Sequence, residues 1–230
     1  MGHYYNPNII TDGLILSLDP SNIRSYPGSG TALNDLSGKD YNGTLVNSPT
    51  YDSGSFLFNG STQNITMPAA ASPVSTQITI SVWSKLTSPS SPPGSAIFNS
   101  IDASSNRIIN IHNPWSDNTV YWDCGNSGGA SYDRITYGPL TLAEKTGWRN
   151  WCFTKNSTSG VMTIYLDGVA VSTASGLTRT FGAANTFKIG SSSPNIEYYA
   201  GNIANVYVYN RVLTAAEILQ NYNTLKKRFV

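Results

Sequence analysis

The chain has 230 residues and a formal net charge of +1, with charged side chains at only 12% of positions, about half of the roughly 25% usual in soluble proteins. That balance provides no field to gather nucleic acid or an anionic membrane, and no apolar run reaches the length of a membrane span. Hydrophobic residues at 40% are enough for a sizeable core, so the polar surface falls to Ser, Thr, Asn and Gly.

Residues 1–12, which include MGHYYNPNII, lack the basic and apolar regions of a secretion signal. They read as a short polar arm that packs on the domain or reaches a neighbouring subunit. Residues 14–18 (LILSL) predict the first strand, and a loop over 19–34 is punctuated by Asp-Pro and Pro-Gly. A turn at 35–38 precedes short strands at 43–46, 55–58 and 64–67. Residues 78–86 alternate, with Ile78, Ile80 and Val82 on one face and Thr79, Ser81 and Trp83 on the other. A Ser/Pro-rich loop spans 87–94. Strands are predicted at 96–100, 107–112 and 119–123, and the turn at 113–118 carries an exposed Trp115. A Gly/Ser loop over 125–134 leads to a short strand at 135–137.

The strongest local pattern is GWRNWCFTKNSTSGVMTIYLDGVAV over 147–171. Residues 149–154 alternate, the polar loop 155–160 ends in Gly, and 161–166 are β-branched and aromatic. Asp167-Gly168 then joins 169–171 as a type I′ hairpin, in which both central positions need positive φ. Strands at 186–190 and 203–209 follow. Strands at this spacing predict an all-β, two-sheet antiparallel sandwich or jelly roll. The one predicted helix is carboxy-terminal. Thr214 and Glu217 form a capping box, Leu213 and Ile218 a hydrophobic staple, and Ile218, Tyr222 and Leu225 an apolar face. Lys226, Lys227 and Arg228 sit where the helix dipole favours cations. No repeat or linker divides residues 13–230, which read as a single domain.

Cys124 and Cys152 are the two cysteines, too few to staple such a chain and without metal-ligand spacing. Cys152 reads as a buried free thiol, with a Cys124–Cys152 bridge as the alternative.

Taken together, FLFNGSTQNITMP, ITISVWSKL, the meander, FKIGSSS and YYAGNIANVYVYNRVLTAAEI resemble the laminin-G-like, concanavalin-A-like lectin/glucanase jelly rolls. The text TDGLILSLDPSNIRSYPGSGTALNDLSGKDYNGTLVNSPTY and the ending NRVLTAAEILQNYNTLKKRF resemble the version found in structural proteins of tailed phages. The resemblance implies two packed antiparallel sheets. It does not transfer a function, because one fold serves lectins, glycosidases and adhesion modules alike.

Glucanases of that superfamily carry clustered acids, since retaining hydrolysis needs two carboxylates flanking one bond. Here Glu144, Glu197 and Glu217 are the only glutamates, and none has an acid two residues away. His112 reads as a strand-end residue, and no Ser sits in a nucleophile elbow. The sequence therefore reads as non-enzymatic. Calcium sites of related domains imply carboxylates where this chain has Asn59, Gln63, Ala204 and Asn205. Asp19 and Asp35 are the remaining metal candidates, with turn and capping roles as the alternative. No other cofactor is expected. Trp115, Tyr132, Tyr137, Tyr198 and Tyr199, with Asn113 and Asp117, are the candidate contacts to a glycan, whose apolar faces stack on aromatic rings. Subunit contacts are the competing role for these aromatics.

The expected function is a virion-surface structural protein, made in the host cytoplasm, such as a capsid decoration, head-fibre or tail-fibre component. Its expected partners are other virion proteins or copies of itself and, through its loops, cell-surface glycans. A lectin or carbohydrate-binding module of a cell-surface or secreted protein is the alternative.

Overall fold

Alternation along the predicted strands sends one set of side chains inward and the other outward, and two sheets close over the inward set. The computed structural model describes residues 8–73, 75–87 and 94–230. Among these, sixteen strands, numbered in chain order, form two antiparallel sheets of eight. The first sheet runs β14 (Val169–Ala174), β13 (Val161–Leu166), β12 (Arg149–Asn156), β7 (Gln77–Leu86), β16 (Ala200–Tyr209), β5 (Ser55–Asn59) and β4 (Thr50–Asp52). β1 (Leu14–Leu18) joins it by pairing with residues 206–209 of β16, beyond the stretch that pairs with β5. The second sheet runs β11 (Asp133–Tyr137), β10 (Val120–Cys124), β9 (Arg107–His112), β8 (Ala96–Ile101), β15 (Thr186–Ile189), β6 (Asn64–Met67), β3 (Gly43–Val46) and β2 (Ala32–Leu33).

Every predicted strand is present, with ends shifted by a few residues. Among the strands and α-helices three are not predicted: β2, β4, and the short helix α1 (Leu142–Thr146), which is opened by a capping box between Thr141 and Glu144. The first two are too short to show a period. Of the Ser/Pro-rich loop, residues 88–93 lie outside the described residues, as do residues 1–7 of the predicted arm.

Between the sheets Ile80, Val82, Trp151, Phe153, Met162, Ile164 and Val208 meet Phe98, Ile109, Ile111, Trp122, Phe187 and Ile189, all buried. The Trp122 and Phe153 rings lie 5.7 Å apart across the core. A second apolar cluster covers the outer face of the first sheet. There Trp83 stacks on Phe229 at 4.3 Å and on Tyr222 at 5.6 Å, beneath the carboxy-terminal helix α2 (Ala215–Leu225). Both hydrogen bonds of the Thr214–Glu217 capping box form, and Leu213 and Ile218 are both buried in this cluster, in keeping with the staple. Residues 8–10 run along the same helix: Asn221 Oδ1 accepts from the Ile10 amide at 2.8 Å, and Tyr209 Oη donates to the Ile10 carbonyl at 3.0 Å. The basic turn after α2 is partly structural, because Arg228 pairs with Asp19 at 3.0 Å.

Both thiols are free and buried. Cys124 belongs to the cluster between the sheets and Cys152 to the cluster under α2, so the first sheet separates them and the alternative of a bridge is removed. Among helices of the described residues, none is long and apolar enough to cross a membrane.

Lys155 follows Trp151 and Phe153 on the inner face of β12, which places a charge in the core. Its Nζ donates to Asp133 Oδ2 at 2.5 Å and to the Cys124 carbonyl at 2.8 Å, both on the second sheet. With Lys155 fully buried and the Asp133 side chain 11% exposed, loss of one partner leaves an uncompensated interior charge. Asp133→Ala is expected to cost about 3–5 kcal/mol, measured as a lowered denaturant midpoint. The Lys155→Met/Asp133→Asn double variant should recover much of that loss, because no unpaired buried charge then remains, the other partner of Asp133, Arg179, being 42% exposed; equal losses in the two variants would show that the pair is not what matters.

Candidate functional site

Along β10, Val120, Trp122 and Cys124 point into the core, so the pleat turns Tyr121 and Asp123 outward. Register places Asp123 opposite Arg134 on β11 and Asn110 on β9, and the same row continues through Asn99, Lys188, Thr66 and Thr44. A polar band therefore crosses seven strands of the second sheet on the face away from the core. At its β11 end the band deepens into a pocket of about 250 Å³ lined by Arg107, His112, Trp115, Tyr121, Tyr132, Arg134 and Glu197.

The anchor of this pocket is Asp123, whose side chain has no exposed surface. Arg134 binds it in a bidentate manner, Nε to Oδ1 at 2.5 Å and Nη2 to Oδ2 at 2.8 Å, and Arg107 Nη1 also donates to Oδ2. The hydrogen bonds to Asp123 push the Arg134 pKa up, so its guanidinium stays protonated. The Arg107 guanidinium lies 4.8 Å from the Tyr132 ring centre, and that of Arg134 lies 4.8 Å from Tyr121 and 5.2 Å from Tyr132. These are cation–π distances. Asp117 holds Tyr121 in place by accepting its hydroxyl at 2.6 Å, which lowers the Asp117 pKa and raises that of Tyr121.

Trp115 forms another wall, its ring 4.3 Å from the His112 imidazole and nearly edge-on to it. Gly94 has φ +56° and presses its backbone on that indole; a Cβ there would sit 2.2 Å from Trp115 Cζ3. Any side chain at this position would push the ring aside. His112 closes a chain of side-chain hydrogen bonds. The Ser193 amide donates to Asn99 Oδ1, Asn99 Nδ2 to Asn110 Oδ1 at 2.9 Å, and Asn110 Nδ2 to His112 Nε2 at 2.7 Å, while His112 Nδ1 lies 3.2 Å from the Ser95 carbonyl. This chain fits a neutral imidazole with its proton on Nδ1. Burial lowers the His112 pKa, Glu197 opposes that, and Arg107 reinforces it. Both ring nitrogens are engaged, so neither is free to act as a base. Glu197, on a left-handed backbone (φ +55°), is tied to the start of β8 by its carbonyl, which accepts from the Ala96 amide at 2.8 Å.

Of the residues singled out in the sequence, Trp115 and Tyr132 line the pocket and Asp117 positions one that does. Asn113 is buried beneath the turn, its Nδ2 without an acceptor among the described residues. Tyr137 lies against the core edge and donates to Glu144 Oε1 at 2.8 Å, and Tyr198 is half-buried outside the pocket. Tyr199 is not a loop aromatic. The pleat that puts Ile203 in the core extends back through Gly201 to Tyr199, which is 1% exposed between the sheets. Arg107, His112, Tyr121, Arg134 and Glu197 complete the pocket and were not among the expected contacts. The alternation of β10 signals Tyr121 and Asp123, but no sequence pattern joins the others.

The two metal candidates are committed to the fold. Asp35 Oδ1 accepts from the Ser17 and Ser37 amides at 2.8 and 2.9 Å, and Oδ2 accepts from Ser37 Oγ and the Tyr41 amide. Burial raises the Asp19 pKa, but Arg228 and Ser21 outweigh it and the net shift is downward. Both make the turn contacts of the alternative reading. Among the described residues no group of three or more His, Cys, Asp and Glu side chains could hold a metal.

The family profile of the concanavalin A-like lectin/glucanases superfamily, of laminin G type, matches residues 59–219, and the chain belongs to that family. The receptor binding domain of botulinum neurotoxin C/D mosaic serotype shares the fold, with a TM-score of 0.72 and 19% identity over 93% of this chain and 51% of that one. The binding domain of botulinum neurotoxin DC, solved in complex with rat synaptotagmin II, gives 0.73 and 18% over 94% and 52%. A third structure, from work on the dependence of botulinum neurotoxin type C cell entry on interaction with two ganglioside molecules, gives 0.71 and 18% over the same shares. The chain thus spans about half the length of these structures. Among curated proteins no relative matches.

A buried neutral histidine also makes stability depend on pH. Because the folded pKa lies below the unfolded value of about 6.5, the unfolded chain takes up the proton first as pH falls. Stability should therefore be full above about pH 6.5 and decline below it. The His112→Gln variant should show a flatter thermal midpoint between about pH 7.5 and 5.5; an unchanged slope would mean that the imidazole is not held neutral.

Proposed function

We propose that this domain binds carbohydrate without cleaving it, and that the pocket at the β11 end of the polar band is its binding site. One observation carries the reading: Trp115, Tyr121 and Tyr132 converge on a concave space that also presents guanidinium, imidazole and carboxylate groups. Sugars need that combination, with flat apolar faces for stacking and polar groups for the hydroxyls. At about 250 Å³ the space is just below the roughly 300–1,000 Å³ of drug-sized sites and suits one sugar residue at a time. Hydrolysis by paired acids needs two accessible carboxylates. Among the described residues Glu197 is the only carboxylate lining the pocket, and Asp123 is closed off beneath two guanidiniums. The toxin structures named above are receptor-binding chains, which supports a recognition role for the fold; their ligands remain properties of those longer proteins.

The carrier we propose is a phage-like virion, with the domain as a capsid decoration, head-fibre or tail-fibre component among other virion proteins or copies of itself. The support is the resemblance of the blocks at residues 11–51 and 210–229 and the sparsely charged surface. A free or cell-surface lectin uses the same pocket and differs only in what carries it.

A glycan panel read by calorimetry or microarray tests the binding role. At least one glycan should bind at low-millimolar affinity or better, and Trp115→Ala or Tyr132→Ala should weaken it by about fivefold or more, a loss of about 1 kcal/mol. Failure of every glycan to bind folded protein sinks the proposal. Mass spectrometry of purified particles tests the carrier: a stoichiometric signal supports the virion, and its absence favours the free lectin.

A further inference from the structure

The charges around the pocket do not balance where they meet. Arg107 and Arg134 converge on one oxygen of a single carboxylate, Asp123 Oδ2, so two cations share one buried anion. Arg134 spends Nε and Nη2 on Asp123, and Nη2 also reaches Tyr132 Oη at 3.3 Å. Arg107 uses only Nη1. Among the described residues, Arg107 Nε and Nη2 and Arg134 Nη1 have no protein acceptor, on side chains that remain 27% and 39% exposed. A guanidinium presents five donors in a rigid fork, and a planar carboxylate matches that fork with two parallel hydrogen bonds.

The other groups near this wall do not satisfy it. Asp117 is taken by Tyr121 and the Thr119 amide, and His112 is neutral within its own chain of hydrogen bonds. Glu197 lines the pocket but forms no ion pair within 4 Å of either arginine among the described residues. It therefore remains available as an acceptor for sugar hydroxyls and repels a second acid group.

Building on the carbohydrate reading, we infer that the pocket selects a carboxylated sugar of the uronic-acid class, its carboxylate held by Arg107 and Arg134 and its hydroxyls turned to Glu197. The acid group completes a two-cation, two-anion cluster, and the ring packs among Trp115, Tyr121 and Tyr132. Asp123 serves as the fixed counter-charge, and binding involves no reaction at the site.

The test is calorimetry of the full chain with oligogalacturonate, its neutral methyl ester and a sulfated galactan oligosaccharide. The free acid should bind about tenfold tighter than the ester, an advantage that shrinks as salt screens the charges. Arg107→Gln leaves Arg134 gripping Asp123, and a preserved melting profile would verify its fold. That variant should abolish the preference for the acid, weakening the free acid by much more than it weakens the ester. An ester bound as tightly as the acid overturns the inference but leaves carbohydrate binding intact, as does a strong sulfated ligand with no carboxylate response. No binding of any of the three, in a protein that also ignores the wider glycan panel, removes the carbohydrate reading itself.

Discussion

Asp123 is a charge without solvent, and much of the second sheet's outer edge is arranged to satisfy it. An interior carboxylate is tolerated only when paired and hydrogen-bonded. Here the pairing draws Arg107 from β9 and Arg134 from β11 onto a residue of β10. The guanidiniums are thereby fixed against Tyr121 and Tyr132, so the pocket wall is set by the demand of one buried ion. The same logic acts on the other side of β11. Its residue Asp133 points inward to Lys155 while its neighbour Arg134 points outward to Asp123. An edge strand, which has a free row of backbone groups and weak register, is in this way pinned on both faces by ion pairs.

The two outer faces of the sandwich have different fates. That of the first sheet carries Trp83, Tyr207 and Tyr209 and is covered by α2, Phe229 and the chain around Ile10. That of the second carries a row of Asp, Asn, Lys and Thr, with segment 191–197 lying over its centre through the Ser193 to Asn99 bond. At the β11 end the aromatic rings remain accessible. The asymmetry gives one face to packing and leaves the other open for the proposed recognition role, and the division follows from which residue types occupy alternate positions on neighbouring strands.

Much of the scaffold was legible because its signals are local. The Asp167-Gly168 turn, the alternation of β7 and β12 and the Thr214–Glu217 box each act within a few residues. The helix α1 was missed although Thr141 and Glu144 have the same capping spacing, because five residues are too few to show an apolar period. The pocket was only partly legible. Trp115 and Tyr132 stand out in polar loops, but Arg107, Asp123 and Arg134 meet through strand register, which no spacing records. Tyr198 and Tyr199 look alike in sequence, yet the pleat of the following strand draws only Tyr199 into the core. Lys155 reads as the first polar residue of a loop, whereas β12 continues through it and its charge finds Asp133 on the opposite sheet.

The most direct measurement is a titration of the isotopically labelled 230-residue chain with a bound oligosaccharide, following amide, indole and guanidinium resonances. The perturbed signals should gather at Arg107, Trp115, Tyr121, Tyr132, Arg134 and Glu197, with the face under α2 silent. A saturable glycan response centred on α2 or the β14 edge, with the Arg107 and Arg134 signals unmoved, would contradict it.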